Sequence, residues 1–334
     1  MIKIISDPDT QIWEQFVNDH PQGNIFQTPD ISTVYKETKN YTPVTLAAVD
    51  TDTNDMMALL NAVIIKEFNG FFERLTARSI IIGGPLFIDS DKGKIAVKKM
   101  MKYYDAMFGR LVIYTEVRNM WDIKEQIAFS GYEYEDHLNY LIDLTSGEKE
   151  IWKNLSKARK YGIKKSKKMG VEIYEMNTID ELPVLYNLLI DTYKKARHPL
   201  ADISLFNSLF SVLVPKNRAK IFFAKCEENY IGAIILLMYE NKLYDWYSCS
   251  KTEYSNYYPN DRLVWHSLDW GSANHYSVFD FMGAGKPLEN YGVREFKKQF
   301  GGTLVNFGRL KKIHSPITMW AIQKGFPLYR HFLG

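Results

Sequence analysis

Seven lysines in one short stretch, six of them at the spacing of one helix face, pose the first chemical question. The segment reads Lys153-Asn154-Leu155-Ser156-Lys157-Ala158-Arg159-Lys160-Tyr161-Gly162-Ile163-Lys164-Lys165-Ser166-Lys167-Lys168. At about 100° per residue, Lys153, Lys157, Lys160, Lys164, Lys167 and Lys168 share about 100° of helix arc. Ile151, Leu155, Ala158, Gly162 and Met169 fall opposite them. No acid lies within 153–168, so like charges cost a few tenths of a kcal/mol per pair. A phosphate on that face would offset the cost, whether from a nucleotide, a tRNA backbone or a lipid-linked pyrophosphate. A solvated lysine face is the plainer reading, because an ammonium is well hydrated. A second cationic cluster follows a glycine-rich run. Met282-Gly283-Ala284-Gly285-Lys286-Pro287 precedes Tyr291-Gly292-Val293-Arg294-Glu295-Phe296-Lys297-Lys298-Gln299-Phe300-Gly301-Gly302. The glycines would let backbone approach a ligand closely. Arg294, Lys297 and Lys298 beside them point to an anion. The run fits neither a P-loop nor a dinucleotide fingerprint. Tyr244-Asp245-Trp246-Tyr247 with Tyr254, Tyr257 and Tyr258 would suit a groove for a peptide, sugar or nucleotide, or an ordinary sheet edge.

Other chemistries find no support. The histidines at 20, 137, 198, 266, 275, 314 and 331 show no metal-ligand spacing, and no Gly-x-Ser-x-Gly elbow occurs. No metal site is expected. Cys226 and Cys249 are too few for a disulfide scaffold and read as small apolar filler. The start of the chain lacks a signal-peptide layout, so a cytoplasmic location is expected. No apolar run reaches the roughly 18 residues that a membrane span needs.

The elements that must position these residues come from a 334-residue chain, 46% hydrophobic and 24% charged. That length suggests about two domains. Its net charge of +3 hides an asymmetry: residues 1–145 carry 14 Lys and Arg against 21 Asp and Glu, the remainder 28 against 18. The second half is therefore the expected holder of an anionic ligand. In the first half, Thr10–His20 and Gly93–Phe108 read as helices. Val44–Val49, Met57–Phe68, Leu111–Val117 and Leu138–Leu144 read as strands. In the second, one basic helix over 148–169 leads into a strand at Val171–Tyr174, and Leu182–Arg197 is helical. Ala219–Cys226, Ile231–Tyr239 and Lys242–Ser248 form successive strands joined by turns of hairpin length. Pro259 is placed to start a helix, and Ser277–Phe281 is a strand before the glycine-rich run. Both halves are mixed α/β with hairpin-linked strands. The expected class is α+β, with domains at 1–145 and 146–334.

Four stretches, in order, resemble the FemAB-type peptidyltransferase family of the GNAT acyltransferase superfamily. They are His20-Pro21-Gln22-Gly23-Asn24-Ile25-Phe26-Gln27-Thr28, the basic segment leading into Gly170-Val171-Glu172-Ile173, and Tyr230-Ile231-Gly232-Ala233. The last runs from Pro259 through Leu263-Val264-Trp265 and Phe279-Asp280-Phe281 to Phe296-Lys297-Lys298-Gln299-Phe300-Gly301. The resemblance implies two tandem GNAT-like domains with mixed, largely antiparallel sheets flanked by helices. It implies transfer of an aminoacyl or acyl group to an amine of a peptidoglycan or other envelope-polymer precursor. No cofactor would be held permanently; aminoacyl-tRNA or acyl-CoA would be the co-substrate. The partners implied are a phosphorylated or lipid-linked precursor, aminoacyl-tRNA and the inner face of the membrane, with no DNA. The chain lacks the heptad hairpin of some Fem proteins, and no acetyl-CoA signature follows Ile231–Met238. By match to the family's Phe-Lys segment, Lys297 would be the cation near a phosphate or oxyanion. Asp280 and Glu116 would orient or deprotonate the amine, a structural ion pair being the other reading of each acid. Arg159, Tyr161, Lys164, Tyr257, Arg294 and Lys298 would contact substrate. The competing functions are a non-catalytic module binding an anionic nucleotide or tRNA, and an acyl-CoA-dependent N-acetyltransferase.

Overall fold

A computed structural model describes residues 1–66, 76–124 and 126–321. The described residues form two compact units, one of 1–136 with 307–321 and one of 137–306. The expected break after residue 145 is therefore corrected to 136, and residues 307–321 return to the first unit. The reason is long-range pairing, which local composition does not report.

The first unit runs β1 (Ile2–Ser6), α1 (Thr10–Asp19), α2 (Pro29–Glu37), β2 (Tyr41–Asp50), β3 (Met56–Ile65), β4 (Arg78–Ile82), β5 (Leu86–Phe87), α3 (Asp91–Phe108), β6 (Tyr114–Arg118) and β7 (Glu133–Glu135). The strand expected to reach Phe68 ends at Ile65; residues 67 and 68 lie outside the described ones. A single mixed sheet has the order β1-β2-β3-β4-β6-β15-β7, with β5 on β3 and β15 being Arg309–Ile313. Helix α3 is capped by the Ser90 hydroxyl and buries Val97, Met100, Met101 and Tyr104. That spacing covers one helix face and packs it on the sheet.

The second unit runs β8 (Leu138–Asp143), α4 (Gly147–Asn154), α5 (Lys157–Lys168), β9 (Val171–Glu175), α6 (Leu182–Ala196), α7 (Ile203–Leu213), β10 (Ala219–Cys226), β11 (Asn229–Tyr239), β12 (Lys242–Ser250), α8 (Pro259–Ala273), β13 (Val278–Asp280), α9 (Gly292–Lys298) and β14 (Thr303–Asn306). Its sheet has the order β14-β8-β13-β12-β11-β10-β9. Strand β11 is buried on both faces from Ile231 to Tyr239, as its near-continuous apolar sequence requires. Helix α8 buries Leu263, Val264, Trp265 and Leu268 in the same core. Both sheets are antiparallel except at β4–β6 and β12–β13.

The continuous basic helix is corrected to two helices. Leu155 and Ser156 are extended, and the Ser156 hydroxyl caps α5 by accepting from the Arg159 N–H. A serine there satisfies an orphan donor that an uninterrupted helix would not have. The Lys160 ammonium donates to the Lys153 carbonyl at 2.8 Å, closing the end of α4. Ala158, expected on the buried side, is exposed; Gly162, Ile163 and Ser166 form the buried side of α5.

Candidate active site

The site begins where two parallel strands part. Strands β12 and β13 pair only from Lys242–Val278 to Tyr244–Asp280. Beyond that, β12 runs on to Ser250 while β13 ends in a turn at Met282. On its other side β12 is out of step with β11. Ile235 faces Tyr247 but Leu236 faces Asp245, so Trp246 is the extra residue of a bulge. A bulge re-aims side chains locally. A cavity of about 460 Å³ lies along this stretch, lined among others by Asp245, Trp246, Ser248, Val264, Phe296 and Lys297.

Lys297 and Asp245 line it, and Asp280 lies close enough to act on Lys297 electrostatically. The Lys297 Nζ donates to the carbonyls of Phe281 and Gly283, each at 2.7 Å. It lies 5.5 Å from the centre of the Phe281 ring. An ammonium has three donors, so one N–H is left over. Asp245 is buried and accepts from the Ser248 hydroxyl at 2.5 Å. Asp280 is buried; its Oδ1 accepts from the Asn139 amide at 2.7 Å and the Met282 N–H at 2.6 Å. Burial pushes both carboxyls above their ordinary range, against the pull of Lys297. Burial lowers the Lys297 ammonium, against the pull of Asp245 and Asp280. Opposed shifts of this kind bring acid and base closer together in proton affinity, as proton transfer near neutrality needs.

Several expected substrate contacts are engaged with the chain instead. Arg294 donates from three nitrogens to four carbonyls, those of Ala284, Lys286, Pro287 and Glu289, at 2.5–2.9 Å. It clamps the glycine-rich loop rather than awaiting an anion. Arg159 pairs with the buried Asp261 and stacks 4.8 Å from the Phe296 ring centre. Gly162 allows this closeness, since a Cβ there would meet Asp261 Oδ2 at 2.0 Å. Tyr257 packs on the core and against Tyr254 at 5.5 Å. Glu116 lies in the first unit, where its carboxylate meets Arg118 at 2.8 Å and Arg309 at 3.1 Å. Burial alone would raise it, but these guanidinium groups hold it below the ordinary range. It is thus the structural ion pair of the two sequence readings.

Three others remain accessible. Tyr161 is exposed and stands edge-on to Tyr258 at 5.9 Å. Lys164 is exposed, 5.8 Å from the Trp152 ring centre, and Lys298 is exposed. Helices α5 and α9 share a seam: Arg159 lies on Phe296, and the Ser156 N–H donates to the Gln299 carbonyl at 2.9 Å. The six-lysine face is not among the cavity's lining residues. Reading along the sequence placed Asp245 in an aromatic groove stretch without a role in the chemistry, and missed Asn139. Asp245 carried a signal, a lone acid inside an aromatic strand. Asn139 carried only its polarity within an apolar strand.

The same fold recurs in known proteins. Residues 153–298 match the family of acetyltransferase (GNAT) domains. The structure called FemX superimposes with a TM-score of 0.69 at 13% identity, covering 96% of this chain and 99% of that one. L-PGS from Bacillus licheniformis does so with a TM-score of 0.58 at 14% identity, covering 95% and 96%. A tandem GNAT protein from the clavulanic acid biosynthesis pathway gives 0.59 at 8% identity, covering 95% and 99%. Among curated proteins, none matches by sequence. Residues 153–298 thus carry the match to a GNAT domain. The chain as a whole has the FemAB-like tandem GNAT fold, mixed α/β with helices flanking both sheets.

Proposed function

We propose that this chain is an N-acyltransferase of FemAB type, acylating an amine of an envelope-polymer precursor in the cavity beside Lys297. The observation that carries this reading is one cavity, where β12 and β13 part, lined by Lys297 and Asp245, with Asp280 within electrostatic reach of Lys297. A neutral amine attacks the acyl carbonyl carbon and forms the C–N bond. The Lys297 ammonium stabilises the oxyanion that develops. Asp245 or Asp280 takes the proton released by the amine. The bond from the carbonyl to the donor oxygen then breaks, and the leaving hydroxyl takes a proton back. Positioning supplies much of the rate, because ester aminolysis is intrinsically easy.

An aminoacyl ester suits this chain better than a thioester of coenzyme A. The first turn of α8 carries the buried Asp261, already paired with Arg159. A carboxylate there disfavours the pyrophosphate that a helix N-terminus would otherwise attract. The exposed lysines of α5, Lys157, Lys164, Lys167 and Lys168, are suited to a phosphorylated or lipid-linked acceptor near a membrane surface. Among the described residues, no helix is long and apolar enough to cross a membrane. The neighbours named FemX and L-PGS favour the same class of chemistry. The test offers aminoacyl-tRNA and acyl-CoA side by side, with a lipid-linked muropeptide as acceptor. Transfer from the tRNA ester that Lys297→Ala abolishes supports the reading. Transfer from acyl-CoA alone overturns the choice of donor. Binding of either donor without any transfer overturns the enzyme.

A further inference from the structure

Asn139, in β8, touches both parts of the support beneath Lys297. Its Nδ2 donates to Asp280 Oδ1 at 2.7 Å, and its Oδ1 accepts from the N–H of Tyr140 at 2.9 Å and of Gly283 at 2.8 Å. Gly283 is therefore held through both of its backbone groups, its N–H by Asn139 and its carbonyl by Lys297 at 2.7 Å. The turn so fixed is an unusual one. Met282 and Gly283 both have positive φ, 58° and 126°. A side-chain-bearing residue keeps such a conformation only where its surroundings dictate it. Here the Met282 N–H is tied to Asp280 Oδ1, which also holds the Asn139 donor. Two donors on Oδ1 leave Oδ2 as the oxygen where a proton can reside.

We propose that Asn139 is a positioning residue of the acyl-transfer site, fixing the Gly283 carbonyl that holds Lys297 and the oxygen of Asp280 that handles the proton. The inference rests on the functional reading above. A primary amide is the group that can do both tasks, since it donates from one atom and accepts at the other. Aspartate would keep the acceptor for Gly283, lose the donor to Asp280 and add a charge. Leucine would lose both. The charged groups around Lys297 are Asp245 on β12 and Asp280 on β13, and Lys242 of β12 lies within electrostatic reach of Asp280. His137 stands beside Gly283.

The two variants should therefore move Lys297 in opposite directions. The full chain is labelled with limiting acetic anhydride across a pH series, and modification of Lys297 is read by mass spectrometry against exposed Lys298. In Asn139→Asp the added carboxylate should raise the Lys297 titration midpoint by about half a pH unit or more. In Asn139→Leu the unsupported Asp280 takes up a proton more readily and the midpoint should fall by a similar amount. Lys298 should keep its midpoint in both. In the transfer assay, Asn139→Asp should lower kcat about tenfold with KM within about twofold. Unmoved Lys297 midpoints in folded variants, with only the melting temperature lowered, would overturn the proposal. If Asn139→Leu does not fold, the near-isosteric Asn139→Asp decides alone. Moved midpoints in a protein that transfers no acyl group would uphold the positioning role and sink the functional reading. Transfer with unmoved midpoints would do the reverse.

Discussion

The two units treat the end of their parallel strand pair in opposite ways. In the first, β4 and β6 pair from Ser79–Thr115 to Ile82–Arg118, and the space beyond is filled by neutral amides. Gln27, fully buried, donates to the carbonyls of Asn61 and Ile82 at 3.1 and 2.8 Å and accepts from the Asn61 N–H at 2.9 Å. Asn24 donates to the Gly83 carbonyl at 2.6 Å. The fit is close, since a Cβ on Gly84 would meet the Gln27 amide at 2.5 Å. In the second unit the corresponding place is open and lined by Asp245 and Lys297. A satisfied amide network rigidifies a fold. A partly compensated set of charges costs stability, and such sites are kept where chemistry needs them. The tandem fold thus contains one plugged copy and one open copy. The Phe26-Gln27 segment that carried part of the family resemblance belongs to the plug.

The sharpest way to break this contrast is to remove the central charge on the open side. Lys297→Ala should lower turnover by about 10²–10³-fold, the usual cost of losing a donor to a developing oxyanion. Its urea midpoint should change far less, because burial already opposes the ammonium. If activity and stability fall together, as they would in any loosened fold, Lys297 is a structural residue.

The complementary change lies on the plugged side. Gln27→Leu takes the amide partner from the buried Asn61 N–H and carbonyl and from the half-buried Ile82 carbonyl. It should destabilise the protein by about 2–4 kcal/mol in urea unfolding. Turnover per folded molecule should hold within about twofold. A selective loss of kcat would mean that the first unit takes part in the chemistry.

How much of this was legible beforehand follows from sequence separation. Strands β10, β11 and β12 and helix α8 declare themselves by local pattern: apolar runs of strand length, polar two- or three-residue turns, and Pro259 at a helix start. Lys297 was legible through its Phe296 neighbour and the family segment. The partners of charges were not. Arg159 finds Asp261 102 residues away, and Arg294 turns its donors onto its own loop. A cation in a sequence looks the same whether it awaits a phosphate or is satisfied already. Asn139 was hidden for the same reason, since its two contacts to the turn lie 141 and 144 residues along the chain. The break at Ser156 was local and readable, being a good capping residue inside a helical pattern. The lysine periodicity runs across it and masks it.

A smaller effect sharpens the role of the α5–α8 seam, which has no counterpart in the amide plug. Gly162→Ala places a methyl against Asp261 Oδ2, at 2.0 Å before anything moves, and against Tyr258. The two helices must separate, disturbing the Arg159–Asp261 pair and the stacking of Arg159 on Phe296. Overpacking of this kind costs about 1–3 kcal/mol. Thermal unfolding of the variant should show that loss even though alanine is the better helix former. An unchanged or raised melting temperature would show that the seam is slack.

The least effect expected is a pH dependence from the same seam. Burial pushes the Asp261 carboxyl up to about 6, even with Arg159 beside it. The folded state therefore binds this proton more readily than the unfolded chain, whose aspartate keeps its ordinary value of 3.8. Stability gains from protonation as pH falls through about 6 and stops gaining once the unfolded carboxyl is protonated too, near 4. Asp261→Asn has the same shape and no proton to take up. Its melting temperature should thus lose less, relative to wild type, at pH 7 than at pH 5. The plugged side supplies the control, because Gln27→Leu removes no titrating group and should lower stability equally at both values. If Asp261→Asn also gives a pH-independent offset, the carboxylate is held by Arg159 more firmly than burial repels it, and the seam is a plain ion pair.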